Sequence, residues 1–460
     1  MLWFFKAKSG LFITVFIVIL AFVGYHYGYL FPKPTAPAVA SIRQPDLKVE
    51  VVAEGLSFPS TMTFIGPDDI LVLEKKNGTI QRILNGTVLS DPVLDVNVAN
   101  KYERGMLAID VLRNQPQEEG FTDTIINANT TTTYVFIYYT EMDIEGSDVC
   151  PKPNYCVPDH IPLGNRLYRY EWDNSSGKLV NPVLILDLPA EPIPVNNGGK
   201  LVIGPDKNIY LTIGDLNHRS STQNFPNKTG YNETSGIYRI TQDGNPVRPI
   251  LSSEHPLDKY YAYGIRNSFG IDFDPVTNRL WDTENGPLFG DEINLVEPGF
   301  NSGWRKVQGI WNVTEITTSK GRVNFTDLDD KVSLSPKGLE GFGGKGSYSA
   351  PEFTWLNPTV PTAIVFLDSE KLGKQYQNDM FVGDKLGNLY HFKLNQSRTG
   401  LLLEGHLYDK IADSAEELEN IIFGEGFGAI TDLQVGPYDG NLYVVSSGAE
   451  GKIYKMGLHK

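Results

Sequence analysis

The 460-residue chain is poor in cysteine, in basic charge and in long apolar runs. Its two cysteines, Cys150 and Cys156, bracket PKPNY. Two thiolates with one nearby histidine, His160, fall short of a closed zinc shell. The pair reads instead as a disulfide across a short loop in an oxidising compartment. Lys and Arg number 40 against 55 Asp and Glu, for a net charge of −15. That balance argues against nucleic acid, because phosphate neutralisation needs a basic face. It leaves small neutral ligands open.

Only Leu11–Phe31 is long and apolar enough to span a bilayer as a helix, at about 21 residues. Lys6 and Lys8 precede it, and Tyr25, Tyr27 and Tyr29 sit where an interfacial aromatic belt would lie. The expectation is a cytoplasmic segment 1–10, a membrane anchor 11–31, a Pro-rich linker 32–46 and a globular part 47–460 outside the cytoplasm. A cleaved signal peptide ending near Ala38-Val39-Ala40 is the alternative. That site lies far from the apolar core and among prolines, which favours the uncleaved anchor. Asn-x-Ser/Thr sequons at Asn77, Asn85, Asn129, Asn174, Asn227, Asn232, Asn312, Asn324 and Asn395 agree with an outside location and suggest a glycoprotein.

What is plentiful is glycine (45), proline (29) and aromatic side chains (11%), a composition of short strands and tight turns. Thr61–Ile83, Gly199–Asp215, Ile271–Thr283 and Ile430–Met456 share one pattern: an apolar strand, a Gly-Pro-Asp-type turn and a second apolar strand. Ala363–Leu394 follows it more loosely, and Gly105–Leu188 supplies another unit with an insertion. Small sheets repeated on this scale cannot bury both faces alone, which predicts an all-β fold, a six-bladed β-propeller. Leu47–Leu56 is then expected to pair with the last unit. Gln115–Thr133, Asp148–Pro162 and Gln308–Tyr348 read as rim loops or lids, too polar and glycine-rich for core.

A propeller places its ligand over the central channel, at equivalent loops of successive units. The candidates are Asn196–Lys200, Arg266-Asn267, Asn285-Gly286-Pro287, Lys385 and Gly428–Asp432. Converging cations and amides suit an anionic, oxygen-rich ligand, and carbonyls at a Gly-Pro step suit a hard cation such as Ca²⁺.

The blocks GGKLVIGPDKNIYLTIGD, YGIRNSFGIDFDP and TENGPLFGDEINLVEPGFNSGW resemble the soluble quinoprotein glucose dehydrogenases and the related aldose and sorbosone dehydrogenases. The resemblance implies a propeller that binds pyrroloquinoline quinone (PQQ) and Ca²⁺ and oxidises a sugar's C1 hydroxyl. It places Arg266, Asn267 and Lys385 at PQQ-contacting positions, and Gly286 and Pro287 at the carbonyl pair that holds Ca²⁺. The sequence departs from that pattern in two places. Asn196 stands where the family has its catalytic histidine, and an amide is no general base. Ala429 and Thr431 stand where two arginines clamp the quinone, leaving Thr431 as the cofactor-facing candidate there. Asp215 and His218 are the candidate replacement bases. Glu103 and Arg104, in the YERG step, read as salt-bridged loop residues on the same face.

The expected function is a membrane-anchored, outward-facing sugar dehydrogenase acting on a sugar or other small polyol, with an electron acceptor the sequence does not identify. The alternative is a non-catalytic propeller that binds carbohydrate or protein, as hedgehog-interacting proteins resemble this fold without being dehydrogenases. A Ca²⁺-dependent lactonase would require Asn196, Asn267 and Asp432 to converge.

Overall fold

Several strands are buried along their whole length, among them Ile209–Ile213 and Leu280–Glu284. A strand covered on both faces needs a packed neighbour on each side, and repeated small sheets arranged around an axis supply it. The computed structural model describes residues 39–113, 132–143, 162–190, 193–218, 222–225, 230–317, 322–325 and 336–459. Ala40–Lys460 form one compact unit.

The sheets are mostly antiparallel meanders. The first is built on Pro59–Gly66, Asp69–Glu74 and Thr79–Leu84, the third on Leu201–Ile203, Ile209–Ile213 and Gly236–Ile240, and the fourth on Ser268–Phe273, Leu280–Glu284 and Asp291–Val296. The first strands of successive sheets lie side by side, and Pro59–Gly66 touches Ala429–Val435 of the last sheet, so the series closes on itself as a propeller. Leu47–Leu56 pairs antiparallel with Gly451–Leu458, tying an early strand to the C-terminal one as the repeat pattern led us to expect.

The expectation of six blades behind a membrane helix is corrected. Among the described residues the strands divide into seven sheets of three to six strands. Counting turn motifs missed short strands recruited from connections. Phe300–Asn301 and Ser347–Tyr348 join the third sheet in parallel pairings, and Val307–Gln308, Trp311–Thr317 and Arg322–Phe325 make a sheet of their own. No helix among the described residues is long and apolar enough to cross a membrane, and Leu11–Phe31 lies outside them. Cys150 and Cys156, with all of the Asp148–Pro162 insertion but Pro162 and nearly all of Gln115–Thr133, also lie outside. The Gln308–Tyr348 insertion does contribute core: Trp311 is 2% exposed and packs edge-on against Phe289.

The repeated turn has a physical cause. Asp206 accepts from the Asn208 amide nitrogen and the Tyr210 hydroxyl, each at 3.1 Å. Asp384 does the same with Asn388 (2.8 Å) and Tyr390 (2.8 Å), and Asp439 with Asn441 (3.1 Å) and Tyr443 (2.9 Å). The aspartate closes the hairpin and the tyrosine ring folds back under it. A Cβ on Gly204 would stand 2.7 Å from Tyr210, and one on Gly436 2.8 Å from Tyr443, so the glycine of the Gly-Pro step makes room for the ring. Between sheets the core is aromatic. Trp281, Phe353, Trp355, Phe366 and Tyr390 are each at most 3% exposed, with Phe353 and Trp355 edge-to-face at 4.9 Å.

Candidate active site

In an antiparallel meander the start of the first strand and the end of the second lie at the same end of the sheet. Glu103 precedes Met106–Arg113, Asn196 precedes Leu201–Ile203, and Arg266-Asn267 precedes Ser268–Phe273. Lys75 follows Asp69–Glu74, Asp215 follows Ile209–Ile213, Asn285 follows Leu280–Glu284, and Lys385 follows Met380–Asp384. Topology alone therefore gathers these residues at one mouth of the propeller.

Hydrogen bonds stitch the loops together there. The Asn285 amide donates to the Asn267 carbonyl (2.8 Å) and the Asp215 amide to the Arg266 carbonyl (2.8 Å). Asn267 is 3% exposed; its Oδ1 accepts from the Gly198 amide at 2.9 Å, and its Nδ2 donates to Glu103 Oε2 at 3.3 Å. Glu103 Oε2 also accepts from the Asn197 amide at 3.0 Å. One carboxylate thus joins three sheets. Asn196 adopts the left-handed conformation (φ 57°) and donates through Nδ2 to Asp215 Oδ1 at 2.7 Å. Trp304 Nε1 donates to the other oxygen of Asp215, also at 2.7 Å, and the Asn217 amide donates to Oδ1 at 2.8 Å.

Arg266 lies over the Trp304 ring at 5.4 Å and donates to the carbonyls of Asn285 (2.7 Å) and Gly286 (3.0 Å). Below it, Glu284 and Glu292 face one another across two strands and share the Ser302 hydroxyl, at 2.6 and 3.2 Å. Burial, then the charges of Glu292 and Asp282, hold Glu284 well above the usual carboxylate range. Burial pushes Glu292 up to about 8. Lys75 is half-buried and donates to the Tyr102 carbonyl at 2.8 Å. Desolvation lowers its ammonium to about 8; Glu103 opposes the shift, and Lys385 and Lys76 add to it. The Asn285 side chain is 4% exposed, and neither its Nδ2 nor its Oδ1 has a hydrogen-bond partner among the described residues.

A cationic mouth at the loop ends of a closed series of sheets sets the chain beside known proteins. The family profile described as Glucose / Sorbosone dehydrogenase matches residues 56–455. This chain belongs to the glucose/sorbosone dehydrogenase family. The family is one of sugar-oxidising oxidoreductases. The aldose sugar dehydrogenase YliI of Escherichia coli strain K12 is 26% identical over 266 residues, covering 56% of this chain and 59% of that protein. Quinoprotein glucose dehydrogenase B of Acinetobacter calcoaceticus is 32% identical over 164 residues, covering 32% and 34%. Among solved structures, the apo form of the soluble aldose sugar dehydrogenase from Escherichia coli superposes with a TM-score of 0.65 at 19% identity, covering 90% of this chain and 100% of that one. The PQQ-bound aldose sugar dehydrogenase of Streptomyces coelicolor gives 0.58 at 20% identity, covering 92% and 100%. At such identities the structural likeness shows the fold alone.

Placed in this glucose/sorbosone dehydrogenase frame, the residues read from the sequence separate into groups. Asn196, Asp215, Arg266, Asn267 and Gly286 form one hydrogen-bonded patch. Lys385 is exposed at the same mouth, near enough to Lys75 to lower its pKa. Thr431 is half-buried and donates to the Pro59 carbonyl at 3.1 Å, a tie between the last and first sheets. Both oxygens of Asp215 are engaged, so it orients Asn196 and Trp304. His218 is half-buried at the edge of the described residues, and its amide donates to the Asp215 carbonyl at 2.7 Å.

Asp432 does not join Asn196 and Asn267. It is fully buried, ion-paired with Lys200, and accepts from Thr61 Oγ1 (2.8 Å) and the Met62 amide (3.0 Å). The Gly286 carbonyl, expected to face Ca²⁺, accepts from Arg266 instead; Pro287 is half-buried. Among the described residues no three His, Cys, Asp or Glu side chains gather as a metal site. At this loop the Arg266 guanidinium occupies the Gly286 carbonyl, one of the pair expected to face Ca²⁺. Lys75 and Trp304 were not singled out from the sequence. The signal available was positional: each lies at a strand end or loop facing the same mouth.

Proposed function

We propose that this protein is a quinone-dependent sugar dehydrogenase that oxidises a hydroxyl of an aldose or related polyol, with PQQ as its cofactor. The observation that carries the reading is the meeting of Arg266, Asn267, Lys385 and Lys75 at one mouth. A planar tricarboxylate suits such donors. Arg266, Lys385 and Lys75 would hold its carboxylates, and Asn267 its carbonyl edge. When bound, PQQ supplies the two-electron acceptor. The protein's own part is to orient the sugar, exclude water and receive the hydroxyl proton. The names of the aldose sugar dehydrogenase and quinoprotein glucose dehydrogenase relatives support this reading.

The test is titration of the full chain with PQQ, followed by quinone absorbance, and then addition of a panel of aldoses. Saturable binding with sugar-dependent bleaching supports the dehydrogenase. Absence of PQQ binding overturns it.

A second reading, a non-catalytic carbohydrate-binding propeller, is favoured by one observation: Asn196, an amide bound to Asp215, replaces an imidazole. It expects sugar binding by calorimetry without quinone binding. The sequons support a location outside the cytoplasm; Asn85 and Asn174 are exposed. A mobility shift on glycosidase treatment of the expressed protein tests that placement.

A further inference from the structure

We infer that Glu103 is the residue that takes the substrate's hydroxyl proton, in place of the imidazole absent at Asn196; this rests on the dehydrogenase reading above. Glu103 lies on the loop entering Met106–Arg113. That loop is clamped on several sides. Lys75 Nζ donates to the Tyr102 carbonyl at 2.8 Å, the Glu103 amide donates to the Pro194 carbonyl at 3.1 Å, and the Arg104 guanidinium donates to the Ala190 carbonyl. Tyr102 itself is held at φ 55°, a left-handed conformation that strains an ordinary side chain and tends to persist at functional sites.

The carboxylate is divided in its duties. Oε2 accepts from the Asn197 amide and from Asn267 Nδ2, which belong to the two loops that build the rest of the mouth. Oε1 accepts no hydrogen bond among the described residues, and it is not sealed from solvent. One oxygen is therefore anchored and the other is available. The neighbouring candidate, Asp215, has both oxygens engaged by Asn196, Asn217 and Trp304 and is 1% exposed. A general base must present a lone pair to the proton it accepts, and of these two carboxylates only Glu103 does.

The chemistry balances as follows. The C1–H bond of the sugar breaks, and its hydrogen leaves with the electron pair to an ortho-quinone acceptor. The O–H bond breaks and its proton goes to Oε1 of Glu103, as C1=O forms. The sugar is oxidised by two electrons and the quinone is reduced by two.

The test compares the full chain with Glu103→Gln and Glu103→Ala. Gln keeps an oxygen to accept from Asn197 and removes the basic oxygen and its charge. Expected for Glu103→Gln are an unchanged thermal midpoint, PQQ binding equal to or several-fold tighter than wild type in an absorbance titration, and kcat for the aldose lowered about 10²–10⁴-fold. In Glu103→Ala, added formate should restore part of the lost rate. If wild type bleaches the quinone and Glu103→Gln does so within threefold of its rate, this inference fails and the dehydrogenase reading stands. If wild type neither binds PQQ nor bleaches it with any aldose, the reading fails and takes the inference with it. A Glu103→Gln variant that loses PQQ binding at an unchanged thermal midpoint also overturns the proton-accepting role, because it makes Glu103 a cofactor ligand.

Discussion

Asn196 and Asp215 are joined by a 2.7 Å hydrogen bond in which the amide donates and the carboxylate accepts. Because Asp215 also holds Trp304 and the Asn217 amide, the pair is a scaffold beneath the mouth. Asp215→Asn should destabilise the fold by about 1–3 kcal/mol, the cost of leaving buried donors imperfectly matched. Urea unfolding would measure it, and a change below a few tenths of a kcal/mol would contradict the scaffold role. Asn196→His puts an imidazole within reach of that carboxylate. We expect it to introduce a rate dependence near pH 6–7 that wild type lacks.

Arg266 occupies the Asn285 and Gly286 carbonyls. Calcium chelation should therefore leave PQQ affinity unchanged within about twofold, whereas Arg266→Ala should weaken it by about tenfold or more, as expected for loss of a charge-assisted contact of about 1.5–3 kcal/mol. Loss of quinone binding in EDTA would show that the guanidinium yields these carbonyls to a metal.

Lys200 and Asp432 form an ion pair deep in the molecule, at 8% and 0% exposure. Lys200→Met leaves the carboxylate buried and unpaired, at a cost of about 3–5 kcal/mol. The double variant Lys200→Met/Asp432→Leu should recover much of that stability. Chemical denaturation of the single and double variants decides it; equal losses in both would mean that Thr61 and the Met62 amide matter more than the pair.

The Glu284–Glu292 pair predicts how stability depends on pH. Burial pushes the Glu292 carboxyl up to about 8 in the folded protein, far above its ordinary 4.5. Between those values the folded state keeps a proton that the unfolded state has released. Stability therefore falls as pH rises through this window. Glu292→Gln should flatten the decline between about pH 5 and 8, read from thermal midpoints across the range. An unchanged slope would place the proton elsewhere, at Glu284 or Asp282.

Local chemistry made much of the fold legible. The Asp206–Asn208–Tyr210 turn and its counterparts at Asp384 and Asp439 leave a written mark, because aspartate, asparagine and tyrosine recur at the hairpins they close. Arg266 and Asn267 were legible for the same reason, lying in one contiguous block. The sheet partition was not, because Phe300–Asn301 and Ser347–Tyr348 have little strand signature and pair only with what the fold brings beside them.

By itself, then, the sequence determined the all-β class, the pairing of the N-terminal strand with the last sheet and the identity of the Arg266 block, since periodicity and turn chemistry act over a few residues. Only the tertiary structure decided which groups share the mouth. Glu103 and Asn267 are 164 positions apart and Lys200 and Asp432 are 232 apart. It also turned Asp432 away from the candidate site and set Arg266 on the Gly286 carbonyl, one of the pair expected to face a metal. Such contacts depend on closure of the whole series of sheets, and a hydrogen bond between distant loops leaves no pattern in either loop alone.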